Sequence, residues 1–156
     1  MKASVSTQMR ARLDEYTAFH RSFANEVCHF IGIPLIICGA GTLLGAVPLF
    51  NLGSFVITLS EPVLLMISLF YVIEARGLGL ITALLMTALG VLGRTLPFTV
   101  GLALFLFGWA LQFIGHARFE GSSPAFLRNL LHLLVGPAWL VERSIWRERT
   151  SAWSQK

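Results

Sequence analysis

Between Val27 and Ile114 the chain carries only four charged side chains, Glu61, Glu74, Arg76 and Arg94, and otherwise runs in apolar sequence. A bilayer interior offers no water to an unpaired backbone N–H or C=O, so a run of this kind is expected to satisfy its backbone within membrane-spanning helices. Composition agrees: 55% of residues are hydrophobic and 13% charged, where soluble domains carry about 25% charge. The predicted fold class is all-α, an integral membrane protein with four transmembrane helices plus interfacial or re-entrant helices at the N- and C-terminal ends. At this length one membrane domain over residues 1–156 is expected.

Residues 1–26 are polar, and from Thr7 onward Met9, Leu13, Tyr16 and Phe19 or His20 repeat at helical spacing. They predict an amphipathic helix lying on the membrane surface. This segment contains no apolar run of signal-peptide length and is expected to persist in the mature protein. The four spans are placed within residues 27–114. Span one runs from Val27 to about Phe50, with Pro34 in an early turn and Gly39, Gly41 and Gly45 allowing close helix contact. Its tail, VPLFNLGS, carries a turn. Span two covers Phe55 to Ile73, where Glu61 and Pro62 interrupt the pattern. Either the helix begins near Pro62, the preferred reading, or Glu61 faces the bundle interior. Glu74 to Gly77 form a polar loop, Leu78 to Gly93 a short third span, Arg94 to Pro97 a turn, and Phe98 to Ile114 the fourth span. Residues 115–156 are expected to form interfacial or re-entrant helices and a tail, one helix starting at Pro124 and broken at Gly136-Pro137 before a second amphipathic piece.

Arginines and the lysine before span one (Lys2, Arg10, Arg12, Arg21), after span two (Arg76) and after span four (Arg118, Arg128, Arg143, Arg147, Arg149) contrast with a single Arg94 in the other two loops. Both termini are therefore expected on the cytoplasmic side, with a bacterial inner membrane as the setting. The net charge of +4 is spread singly beside apolar segments, with no basic run or aromatic platform, so nucleic acid is not an expected partner. Membrane lipid is, and a homo-oligomer is compatible with the sequence. Cys28 and Cys38 lack metal-motif spacing and read as small apolar residues.

The polar residues that ask for a purpose stand where greasy sequence meets water, from His20 to Pro34 and from Trp109 to Pro137. An even number of spans puts His20, His29, His116 and His132 on one side of the membrane, where neutral imidazoles suit iron, zinc or copper. On an unbroken helix the step from His20 to His29 turns about 900° and sends them to opposite faces, so a shared metal needs a bend between them. Interfacial histidines that merely cap helix ends fit the same spacing, and no H-E-x-x-H or H-x-x-H-H box is present. Glu120 is open to three readings: a group holding the His116 imidazole, an acid/base, or a solvated helix end. Asn25 and Asn129 fit helix caps or hydrogen bonds to a ligand. Arg118 and Arg128 fit a bidentate clamp on a carboxylate or topology signals. Gln112, one turn before His116, is expected to line the same site. A haem-binding electron carrier is the competing reading, against which the histidines' position at span boundaries counts. A non-catalytic lipid-binding membrane protein is a third.

The patterns F-H-x4-N-x3-H-x-I-G-I-P (Phe19 to Pro34) and W-x2-Q-F-I-G-H-x2-F-E-x3-P-A-x3-N-L (Trp109 to Leu130), followed by Gly136-Pro137 and Glu142, resemble the membrane 2-hydroxy fatty acid dioxygenases. These are the small proteins related to the yeast enzyme of phytosphingosine breakdown. Within the first motif, Phe23 stands where relatives often have Pro and Arg21 where some have a second His. The resemblance implies an iron(II)-dependent dioxygenase that takes a 2-hydroxy fatty acid and molecular oxygen to the one-carbon-shorter acid and carbon dioxide. It implies Fe(2+) ligands at His20, His29 and His116, with His132 as a fourth candidate. Beside these, the residues' own chemistry makes Glu120, Asn25 and Asn129 the candidate catalytic groups and Arg118, Arg128 and Gln112 the candidate substrate-binding groups.

Overall fold

The structure, a computed structural model, describes residues 5–121 and 130–145. It is mostly helical: α1 (Thr7–Ala18), α2 (Phe23–Gly45), α3 (Ser60–Arg94), α4 (Phe98–Ile114) continued by a π-helical turn (Gly115–Glu120), and α5 (His132–Ile145). Between α2 and α3 lies a two-stranded antiparallel hairpin, β1 (Pro48–Leu52) and β2 (Phe55–Thr58). The expectation of an all-α chain is thus corrected. Pro48 has no N–H and disfavours helix at Val47, and the short Leu/Phe/Val/Ile runs on either side of Gly53, which adopts φ +61°, pair Leu52 with Phe55 and Asn51 with Val56. Predicted span one accordingly stops at Gly45 rather than Phe50, and the second long helix starts at Ser60 rather than Phe55.

Three helices, Phe23–Gly45, Ser60–Arg94 and Phe98–Glu120, are long and apolar enough to cross a membrane. The middle one is not straight. Arg76 has φ 45° and ψ −121°, and beyond it the chain runs back along itself. Glu61 pairs with Arg94, Leu64 faces Gly90, and Ser68 Oγ lies 3.3 Å from Thr87 Oγ1. The polar sequence around Arg76 is therefore a tight turn between two antiparallel arms. Glu61 accepts hydrogen bonds from Thr58 N and Oγ1, both at 2.7 Å, and sits at the helix start instead of in the interior.

α2 is the axis on which the rest is packed, with α4 on one side and α3 on another. Close approach is made by missing side chains: a Cβ on Gly39 would meet the Gly101 carbonyl and Phe105, and one on Gly41 would meet Gly90. Gly39→Val is expected to wedge α2 from α4 and destabilise by about 1–3 kcal/mol, read as a lower thermal midpoint in detergent. Because α2 begins at Phe23, Pro34 stands about three turns into the helix, not in an early turn.

The expected surface helix α1 uses its apolar stripe inside the protein. Met9, Leu13 and Tyr16 are buried in one core with Tyr71, Ala75, Leu78, Val135, Ala138 and Trp139. Ser6 ties its start to the α3 turn through Glu74, and Tyr71 Oη donates to the Leu134 carbonyl at 2.6 Å. α5 passes unbroken through Gly136-Pro137, correcting the predicted break. Gly136 instead admits the Tyr16 hydroxyl and Ile33, each 3.0 Å from where a Cβ would stand. The helix predicted to start at Pro124 falls outside the described residues.

Candidate metal centre

His20 lies in the short link between α1 and α2, His29 on the second turn of α2, and His116 on the π-helical turn that ends α4. All three are buried, and each offers a ring nitrogen such that the three nitrogens lie within 4.8 Å of one another. The bend that the spacing required between His20 and His29 is the link after Ala18. Three bonds to one oxygen of Glu120 fix it: the N–H groups of Arg21 (2.8 Å) and Ser22 (2.7 Å) and the Asn25 side-chain amide (3.2 Å) all donate to Oε1. A carboxylate from the far end of the sequence thus caps α2, whose own Ser22 makes no side-chain cap bond. On the other side, Gly115 lets the π-turn lie against Asn25, whose Oδ1 occupies the space a Cβ would need.

The hydrogen bonds determine which nitrogens are free. His20 Nδ1 lies 2.6 Å from the Tyr16 carbonyl and His29 Nδ1 lies 2.9 Å from the Asn25 carbonyl. A carbonyl only accepts, so both Nδ1 atoms carry the proton and both Nε2 atoms carry a lone pair. Those two Nε2 atoms face each other at 2.9 Å. Burial, then the neighbouring His29, holds His20 far below the ordinary imidazole value, at about 2, so no proton relieves the contact. A cation does. His116 Nδ1 is buried without a hydrogen-bond partner among the described residues. Since the Nε2 atoms of His20 and His29 touch, no macrocycle fits between them as ligation of one haem by that pair requires.

The other sequence candidates are placed as follows. Gln112 is buried one turn before His116, its amide 3.4 Å from the Cys28 carbonyl. Glu120 and Asn25 are engaged with each other and with the start of α2. Arg118 is exposed on the π-turn. Arg128 and Asn129 lie outside the described residues. His132 is buried but is not in the three-nitrogen cluster; its ring meets the edge of Tyr16 at 5.9 Å between centroids. Two residues escaped sequence reasoning. Tyr16 stacks on His20 at 4.0 Å, and Trp139 covers His20 at 5.2 Å while donating to Thr17 Oγ1. The i, i+4 relation of Tyr16 to His20 was a usable signal; nothing local marked Trp139.

From this cluster a cavity of about 300 Å3 extends along α2. His29, His116, His132, Tyr16 and Gln112 line its head, and Ile33, Ile36, Ile37, Ala40 and Leu44 continue it as a helical stripe toward Ser60 and Leu64 on α3. The wall is apolar except at the head and at Ser60.

Residues 6–147 match the family described as 2-hydroxy-palmitic acid dioxygenase Mpo1-like. Over 131 residues the chain is 30% identical to the 2-hydroxy-palmitic acid dioxygenase MPO1 of Saccharomyces cerevisiae, an alignment covering 81% of this chain and 73% of that protein. No solved structure matches.

Proposed function

Because the chain belongs to the Mpo1-like family, we propose that it is a membrane dioxygenase that converts a 2-hydroxy fatty acid and oxygen to the one-carbon-shorter fatty acid, carbon dioxide and water. The observation that supports this best is the juxtaposition of three buried imidazoles with the mouth of an apolar groove. A long-chain acid needs the groove and its anionic head needs a cation. Three neutral ligands leave the full charge of a ferrous ion available to attract that head.

In this reading His20, His29 and His116 hold the iron. When bound, ferrous iron supplies the one-electron chemistry by which oxygen reacts with a closed-shell acid, which redox-inert zinc does not offer. The substrate provides all four electrons for reduction of oxygen to water, so atoms and electrons balance without a further reductant. The chain's own residues do the rest. The carbonyls of Tyr16 and Asn25 fix the tautomers and directions of two imidazoles. Trp139 and Tyr16 keep water from His20, and the groove holds the alkyl tail. Glu120, with three donors on one oxygen, acts as a positioning residue for the loop that carries His20 rather than as a proton carrier. In this reading each arm of α3 crosses the membrane by itself, making four crossings with the three histidines at one face, and the arginine distribution favours the cytoplasmic face.

The test is iron content, optical spectrum and oxygen uptake of the detergent-purified protein after anaerobic ferrous loading. One iron per chain, no Soret band, and conversion of 2-hydroxypalmitate to pentadecanoate and carbon dioxide are expected. Iron-loaded protein that consumes no oxygen with any 2-hydroxy acid would sink the proposal.

A further inference from the structure

One buried imidazole remains without a task. His132 is 3% exposed and lines the head of the groove, yet neither nitrogen makes a well-formed hydrogen bond with a described residue: Nε2 has only the Glu15 carboxylate near it and Nδ1 has no partner. The triad imidazoles His20 and His29, by contrast, are held by backbone carbonyls. A buried polar group left open on a cavity wall is an unmet demand for a ligand atom. Which atom follows from its surroundings. Nε2 lies 3.4 Å from the Glu15 carboxylate, whose side chain is 53% exposed. A carboxylate beside Nε2 favours the proton there and leaves Nδ1 as a lone-pair acceptor. The groove's occupant must therefore bring a donor. An ionised carboxylate only accepts, so in a 2-hydroxy acid the sole donor is the 2-hydroxyl.

Resting on the 2-hydroxy acid reading above, we infer that His132, held by Glu15, is the positioning residue that accepts a hydrogen bond from the substrate's 2-hydroxyl and so distinguishes a 2-hydroxy acid from an unsubstituted one. Its place supports this. His132 and His20 both contact the Tyr16 ring, and His132 lines the same groove as His29 and His116. A site built to pair a hydroxyl discriminates strongly against the analogue lacking it, because the protein's own polar atom then stays unpaired.

The experiment is anaerobic binding of 2-hydroxypalmitate and of palmitate to iron-loaded wild type, His132→Leu and His132→Gln, with iron content measured on each. Wild type is expected to prefer the hydroxylated acid by roughly tenfold or more. In His132→Leu the preference should vanish through weaker 2-hydroxypalmitate binding, with palmitate affinity and iron content kept. His132→Gln, whose amide oxygen accepts, should recover part of it. A full preference in His132→Leu overturns the inference, as does iron loss in both variants, which would make His132 a ligand. If wild type fails to consume 2-hydroxypalmitate with oxygen, the underlying reading fails; if it consumes it while His132→Leu keeps its preference, only the inference does.

Discussion

His29→Ala is expected to release the iron and abolish oxygen consumption with 2-hydroxypalmitate, a loss exceeding 100-fold. Loss of a partner that merely orients a ligand costs about 10–100-fold in affinity or activity, and here the ligand itself goes. His29 is the best placed of the three for this test because it stands on a helix whose start is independently capped by Glu120, so its removal leaves the backbone supported. Truncation also removes the 2.9 Å contact between facing lone pairs on His20 and His29. The metal-free variant is therefore expected to unfold at a temperature equal to or above that of metal-free wild type, although it creates a cavity. A metal-free His29→Ala protein that melts well below metal-free wild type would show that the facing nitrogens are not a source of strain. Iron retained at wild-type stoichiometry would remove His29 from the ligand set.

Ala40→Phe is expected to cut turnover of 2-hydroxypalmitate by roughly tenfold or more while leaving 2-hydroxyoctanoate unaffected. Ala40 lines the groove eleven residues beyond His29 on the same helix, which is roughly 16 Å at the α-helical rise. An extended hydrocarbon, with bonds of about 1.52 Å meeting at about 111°, advances about 1.25 Å per carbon. A benzyl group at this position then meets the tail at about the thirteenth carbon. The profile of initial rate against chain length is the measurement, and an unchanged profile would mean that the tail leaves the groove before it reaches Ala40.

Much of this architecture was legible because the bilayer restricts the alternatives. The apolar runs marked the long helices, and the polar break around Arg76 marked the turn that folds α3 back. His20, His29 and His116 stood out because polar side chains beside greasy helices need a reason, and the bend between the first two followed from helical geometry alone. The β-hairpin was missed because short apolar runs of Leu, Phe, Val and Ile do not declare their period. α1 was placed against lipid because an amphipathic stripe does not say which apolar phase it faces; the answer lay in α5, which buries Met9 and Tyr16. Glu120 carried three readings because its partners Arg21, Ser22 and Asn25 lie 95 to 99 positions away. Local sequence holds no record of such a pairing.

That long reach governs when the centre comes into being. A ribosome that has delivered α1, α2 and both arms of α3 has made two of the three clustered imidazoles, but not His116, not the carboxylate that caps α2, and not the indole that covers His20. Until the last apolar helix has inserted and α5 has docked, the nascent chain has no complete three-histidine pocket. Birth order alone keeps the three imidazoles from meeting before the walls that enclose them exist.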